Sequence, residues 1–255
     1  MAQALLYLLA ELEEPMIRGI YTNSSAMQYL EEKMDVVANN LANSTTSGFK
    51  RNGLFIDQLL GAEQANIRNE IKQPLPEGEI KTYTEYTQGG IRDTQNKFDF
   101  AINGDGFFTI DTPDGLAYTR DGQFIINQEG ILTTVNGHPV MGQSGMIQLA
   151  GEKFSVTEDG YISINNQIVD KLSINSFDVK DAVQMADNLW RPKSAEVEVY
   201  EANPEVKQGF LEISNVSIVK EMVSMIAIQR WYNANEKSIK TNDDALNKAV
   251  NNIAK

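Results

Sequence analysis

The chain has 255 residues, enough for one large domain or two small ones with a substantial buried core. Its 22 Lys and Arg against 35 Asp and Glu leave a net charge of −13, which argues against a phosphate-driven nucleic-acid partner and against docking on anionic lipid. The absence of cysteine excludes disulfides, thiolate metal sites and a cysteine nucleophile, and a single histidine, His138, excludes a multi-histidine metal centre.

In chain order, Met1 to Pro15 reads as a short apolar run, then acidic residues, then proline. It lacks the basic start and small-residue cleavage site of a secretory signal and is too short to span a bilayer. We read 1–15 as a leading segment that need not be native, with Met16 as the natural start. A genuine extension that lengthens the first helix is the alternative.

From Ile17 to Leu41 the apolar residues recur at helical spacing. Ile20, Met27, Met34 and Leu41 are seven apart, with Leu30 and Val37 interleaved, the three-four alternation of an a/d seam. The run Ser44 to Gly48 stops this helix, because Ser and Thr compete for backbone hydrogen bonds and Gly48 tolerates a left-handed conformation. Residues 16–60 are therefore expected to hold a helix and its terminating turn. Residues 61–85, polar and carrying Pro74, Pro76 and Gly78, read as an extended connector.

Residues 86–208 carry β signals. Short β-branched and aromatic runs alternate with turn candidates at Asn103-Gly104-Asp105-Gly106, Thr112-Pro113-Asp114-Gly115, Asp121-Gly122, Glu129-Gly130, Asn136-Gly137 and Asp159-Gly160. Such punctuation predicts antiparallel hairpins in a compact β domain. Residues 209–255 close the chain with a second long helix. No Pro or Gly occurs from Leu211 to Lys255, so one helix of roughly 38 residues, about 57 Å, is expected, with Ser214 or Asn215 as N-cap. Ile218, Met222, Met225, Tyr232, Ile239, Leu246 and Val250 lie on one heptad track; Val216, Val219, Val223 and Ile226 widen the apolar face at its start. The fold class expected is α+β: a discontinuous coiled-coil-like domain of N- and C-terminal helices plus a central antiparallel β domain.

Catalytic and ligand-binding chemistry is missing. Asp99, Asp105, Asp111 and Asp114 are the densest carboxylates, but most stand in turn contexts where Asp satisfies backbone groups. Residues 103–106 lack the spacing and terminal glutamate of a calcium loop and the third glycine of a dinucleotide fingerprint. His138 lies on a turn and reads as structural. No catalytic, cofactor-binding or metal residue is assigned, and no cofactor is expected.

Four blocks carry a resemblance to a known family. Ala38 to Arg51, with Asn39, Asn40, Asn43, Gly48 and Phe49, closely resembles the signature of flagellar rod and hook proteins. The stretch Phe98 to Phe108, with Gly104, Gly106 and Phe107, is similar to that family's central β motif. Tyr118 to Phe124, continuing through Gly130 to Thr133, looks like the hairpin that follows. Gln208 to Val216, with Gly209, Ser214 and Asn215, running on to Glu221-Met222 and Gln229-Arg230, resembles its C-terminal motif. The resemblance covers nearly everything from Met16 to Lys255, in the right order.

It implies a non-enzymatic structural subunit of the flagellar basal-body rod, in the periplasmic part of the cell envelope. Its partners would be other copies, neighbouring rod and hook proteins and the flagellar type III export apparatus, without nucleic acid or direct membrane insertion. The short connector before Tyr86 looks more like the proximal-rod FlgF type than the distal-rod FlgG type. A distal-rod or hook-type subunit, or a secreted binding module with helical oligomerisation arms, are the alternatives. The apolar residues of the two terminal stripes are the expected assembly interface.

Overall fold

The structure is a computed structural model and describes residues 2–57, 79–149, 153–194, 196–202 and 204–253, with side chains of the first helix from Thr22 onward. Most of the expected connector, through residue 78, lies outside the described residues. So do the side chains of the leading segment and of Ile20, Leu246 and Val250.

The chain divides into two compact units, each assembled from separate stretches. The first comprises 1–41, 52–84 and 217–255. It holds helix α1 (Ala2–Ala42), strands β1 (Asn52–Asp57) and β2 (Glu79–Thr84), and the C-terminal helix, α2 (Ile218–Ile253). β1 and β2 pair antiparallel, Asn52 opposite Thr84. At 41 and 36 residues, the helices are roughly 61 and 54 Å long, far beyond the ordinary globular helix. They run antiparallel: Asn23 Nδ2 donates to Ser238 Oγ at 3.0 Å, and Lys33 stands over the Trp231 ring ten residues further along α1 but seven residues earlier in α2.

The N-cap expected at Ser214 or Asn215 is displaced to the end of a short linker. α2 starts at Ile218, and its first turn closes with Glu221 N donating to Ser217 O at 3.0 Å. The two expected capping side chains are committed elsewhere. Ser214 Oγ accepts from Val216 N, and Asn215 Oδ1 accepts from Arg51 N at 2.7 Å.

The second unit comprises 42–51 and 85–216. In chain order it contains β3 (Ile91–Asp93), β4 (Phe100–Asn103), β5 (Phe107–Thr112), β6 (Gly115–Thr119), β7 (Phe124–Ile126), β8 (Leu132–Thr134), β9 (Phe154–Val156), β10 (Tyr161–Ile164), β11 (Gln167–Lys171), β12 (Ile174–Ser176), β13 (Ala182–Gln184), β14 (Leu189–Pro192), β15 (Tyr200–Glu201), β16 (Glu205–Gln208) and β17 (Phe210–Glu212). Residues 42–51 and 209–216, which the sequence reading grouped with the helices, fall with these strands; β17 pairs with β3.

A six-stranded sheet in the order β13-β14-β6-β5-β12-β15 forms the centre, and β11-β10-β9 form a second sheet. β5 is buried on both faces because side chains alternate along a strand. Phe108 and Ile110 enter the main core with Phe100, Ile102, Phe124, Leu132 and Leu172. Phe107 points the other way and stacks on Phe177, ring centroids 4.9 Å apart, in a smaller cluster with Tyr118 and Trp190. The adjacent phenylalanines thus fill two cores, each ring contributing about 1.5–3 kcal/mol.

The hairpin expectation holds at β5–β6, where Thr112 faces Gly115, and at β7–β8 and β9–β10. It fails at two glycine-containing turns. β4 pairs with β16 rather than β5, so Gly104 and Gly106 make a corner between sheets. Gly122 makes a crossing rather than a hairpin: a Cβ there would lie 1.7 Å from the Phe100 carbonyl oxygen, and Phe100 N donates to Gly122 O.

Candidate assembly interface

The inner face of the helix pair is built from Leu30 and Val37 of α1 and Ile228 of α2, with Met34 and Met225 packed against them. Leu30, Val37 and Ile228 are almost fully buried within one chain. Met27, Leu41 and Ile239 are half-buried. Ile228 lies off the heptad track that the sequence reading favoured. Its burial shows that the seam runs along the edge of that track.

The consequence is an apolar stripe left outside. Val219, Met222, Val223 and Ile226 follow the i, i+3, i+4, i+7 spacing of one helix face, and they are 71%, 49%, 61% and 53% exposed. Ile218 and Tyr232 are also exposed. Four large apolar side chains on consecutive turns form a patch of the kind that marks a protein–protein contact. Covering their open halves would contribute on the order of 3–6 kcal/mol before the costs of association.

The family-motif residues hold each unit together internally. Asn40 is fully buried and clamps the start of β1: its Nδ2 donates to Asn52 O at 2.7 Å, and its Oδ1 accepts from Asn52 N at 2.8 Å. Asn39, its neighbour, faces outward. In the β unit, Asn43 Oδ1 accepts from Thr46 Oγ1. Gly48 has φ +66, and a Cβ on it would sit 2.4 Å from the Arg120 carbonyl carbon, so the turn tolerates only glycine. Phe49 is buried. Asn215 donates to the Glu85 and Thr87 carbonyls, tying the segment before α2 to the start of the β sequence. Gly209 turns the chain between β16 and β17.

Three charged residues that sequence reading did not single out meet at the centre of this arrangement. Glu212, 1% exposed, accepts from Lys50 Nζ at 2.5 Å and from Gly89 N at 2.9 Å through Oε1. Its Oε2 accepts from Arg120 Nη1 at 3.3 Å. Lys50 also donates to Thr87 O, and Arg120 donates to Gly104 O at 2.7 Å while lying over the Phe107 ring. Burial lowers the pKa of both cations, opposed by the Glu212 charge. Each of the three residues comes from a different family block, so the cluster knots the start, middle and end of the β unit together. Their wide separation leaves no local sequence signal. These contacts serve the fold; Arg120 Nε, also buried, has no hydrogen-bond partner among the described residues.

Among the described residues, Asp99, Asp105, Asp111 and Asp114 included, no group of three His, Asp or Glu side chains is placed to hold a metal. His138 is half-buried in a turn closed by Gly137 N donating to Thr134 O. Among the described residues no helix is long and apolar enough to cross a membrane.

A helix pair with an uncovered apolar stripe, and a β unit whose buried ions are spent on its own cohesion, define a structural assembly protein. Comparison with known proteins places it more narrowly. Residues 20–50 match the family described as flagella basal body rod protein, residues 101–164 the flagellar hook protein FlgE/F/G D1 domain, and residues 207–253 the flagellar basal body rod FlgEFG protein C-terminal family. The flagellar basal-body rod protein FlgG of Bacillus subtilis is 32% identical over 263 residues, covering 92% of this chain and 99% of that protein. FlgG of Buchnera aphidicola subsp. Schizaphis graminum is also 32% identical, over 91% of this chain and 98% of its own. FlgF of Mesorhizobium japonicum is 34% identical over 84% and 88%. The chain belongs to the flagellar rod and hook family, as a structural, non-enzymatic subunit of the basal-body rod.

Proposed function

We propose that the chain polymerises through its terminal helices into a helical rod segment and transmits motor torque toward hook and filament. The observation that carries this reading is the uncovered stripe Val219, Met222, Val223 and Ile226 on a helix whose opposite face is already packed. A rod of identical folds needs heterologous contacts, one patch meeting a different patch on the next subunit, so that the array propagates instead of closing. In the polymer the helices form a coiled-coil-like wall, and the heptad residues from Ile20 to Leu41 and from Ile218 to Val250 supply its contacts, some within the chain and some between chains. Copies of itself and neighbouring rod and hook proteins are its partners. The flagellar type III export apparatus delivers it.

Within the family we favour the proximal-rod FlgF type on the short stretch before Tyr86; FlgG and FlgF relatives are similar to the chain to nearly the same degree. We further propose that the helices are largely unordered in a dilute monomer and order on assembly, because helices of this length bury little of their surface on each other. Deletion of the gene tests the function: loss of motility with absent rods is expected, and normal filaments refute it. Circular dichroism of monomer against polymer tests the ordering, which full helicity in the dilute monomer excludes. Density for the assembled basal body decides between proximal and distal positions.

A further inference from the structure

The outward faces of α1 and α2 differ in charge. On α1 the exposed row Glu31, Asp35 and Ala38, at i, i+4, i+7, is flanked by exposed Glu32, and the only lysine in this stretch, Lys33, turns inward over Tyr29 and Trp231. On α2 the exposed row continues from Ile226 to Arg230, Asn233 and Lys237. Glu236 is engaged by Lys240 at 2.6 Å. Among the described residues Glu31, Asp35, Arg230 and Lys237 have no ion-pair partner within the chain. One row is acidic with a small residue at its end; the other is apolar with a basic extension.

We infer that the outer row of α2 in one copy docks antiparallel on the outer row of α1 in a second copy of this chain. The inference rests on the polymerisation proposed above and names the faces that carry it. With Ile226 seated over Ala38, where a methyl side chain leaves room for it, the rise of about 1.5 Å per residue sets the rest. Arg230 lies roughly 6 Å along one helix and Asp35 roughly 4.5 Å along the other, so they meet. Lys237 comes within side-chain reach of Glu31. A parallel arrangement from the same anchor carries Arg230 away from both acids and leaves all four charges unmatched. Charge matching therefore selects the direction as well as the partner face.

The antiparallel choice also agrees with the pairing inside each chain. Alternating α1, α2, α1, α2 with every neighbour antiparallel keeps all copies of α1 pointing the same way, as a repeat around one axis parallel to the helices requires. The contact is heterologous, since the α2 face of one copy meets the α1 face of the next.

The cysteine-free chain permits a clean test. Ala38→Cys and Ile226→Cys are made singly and together in the full chain, assembled at a concentration where the parent sediments as oligomers, and oxidised. Both positions are exposed and stand outside the intrachain seam, and a non-reducing gel separates a disulfide between molecules, which gives a ladder, from one within a molecule, which leaves a monomer. The expected result is a ladder of oligomers from the double variant and none from either single one. Arg230→Glu with Lys237→Glu should weaken the ladder at least tenfold, and adding Glu31→Lys with Asp35→Lys should restore it. Unchanged urea unfolding of the β unit confirms that each variant is folded. Dimers from Ile226→Cys alone, or sedimenting assemblies that give no ladder, overturn the inference while leaving polymerisation standing. A parent that never assembles, together with normal rods in its absence, overturns both.

Discussion

Replacing Glu212 by Gln keeps the shape of the buried cluster and removes only its negative charge. Lys50 and Arg120 are then left as two buried cations, 1% and 7% exposed, with a neutral amide between them. The carbonyls of Thr87, Ile102 and Gly104 still accept their hydrogen bonds, so part of the interaction survives. Breaking a buried ion pair by removing one partner costs about 3–5 kcal/mol, against a typical domain stability of 5–15 kcal/mol. For a unit of this size, 1 kcal/mol shifts the melting point by roughly 3 °C, so a fall of about 10–15 °C is expected. The assay is urea and thermal unfolding followed by Trp190, which is 2% exposed in the β unit, in a Trp231→Phe background that removes the other tryptophan. Lys50→Met added to Glu212→Gln should recover at least 1.5 kcal/mol, because one stranded cation is gone. The sign with pH follows from burial. Lys50 sits below its ordinary 10.5 even with Glu212 present, and without that carboxylate it falls further. The folded variant then binds fewer protons than the unfolded chain, so its stability rises with pH in the alkaline range up to about 10.5. A loss under 1 kcal/mol in Glu212→Gln, with no alkaline recovery, would refute the view that this charge holds the cluster together.

Three further outcomes are expected. Burial, with some help from the neighbouring Asp99 charge, raises the Asp121 carboxyl from 3.8 to about 6. The folded state therefore favours its protonated form, and the stability it contributes is present below pH 3.8 and lost as pH rises through about 6. Asp121→Asn should flatten the stability profile between those values, by about 1–3 kcal/mol relative to the parent, as read from urea midpoints across pH. Gly48→Ala places a methyl against the Arg120 backbone at positive φ and should cost about 3 kcal/mol or more, measured by denaturant unfolding. Asn40→Ala strands the Asn52 amide and carbonyl and should cost roughly 2–3 kcal/mol in the melting of the assembled polymer followed at 222 nm; Asn40→Asp, which sets a buried carboxylate oxygen against the Asn52 carbonyl, should cost at least as much.

The inward face of α1 was legible because one helical period governs it. Leu30, Val37 and Met34 stand where their spacing puts them, and the stop at Ser44 to Gly48 is local chemistry. α2 was legible as a helix but not as a face. Its first three turns carry apolar residues on nearly every side, so periodicity could not choose between the track through Met222 and Tyr232 and the one through Ile228. Packing against α1 made that choice and left Val219, Val223 and Ile226 outside. In the β unit, glycine marked each bend without revealing its kind. Gly130 and Gly160 lie in hairpin turns, whereas Gly122 is demanded by a backbone crossing with Phe100.

Periodicity and turn chemistry act over a few residues, and by themselves they determined the α+β order of the chain, the long terminal helices and the positions where strands break. Pairing between distant strands, and the meeting of Lys50, Arg120 and Glu212 from the start, middle and end of the β unit, are long-range events. Only the tertiary structure decided them, because burial of a charge is stable only where its partner arrives at the same point in space, and nothing in the local spacing of these residues records that meeting.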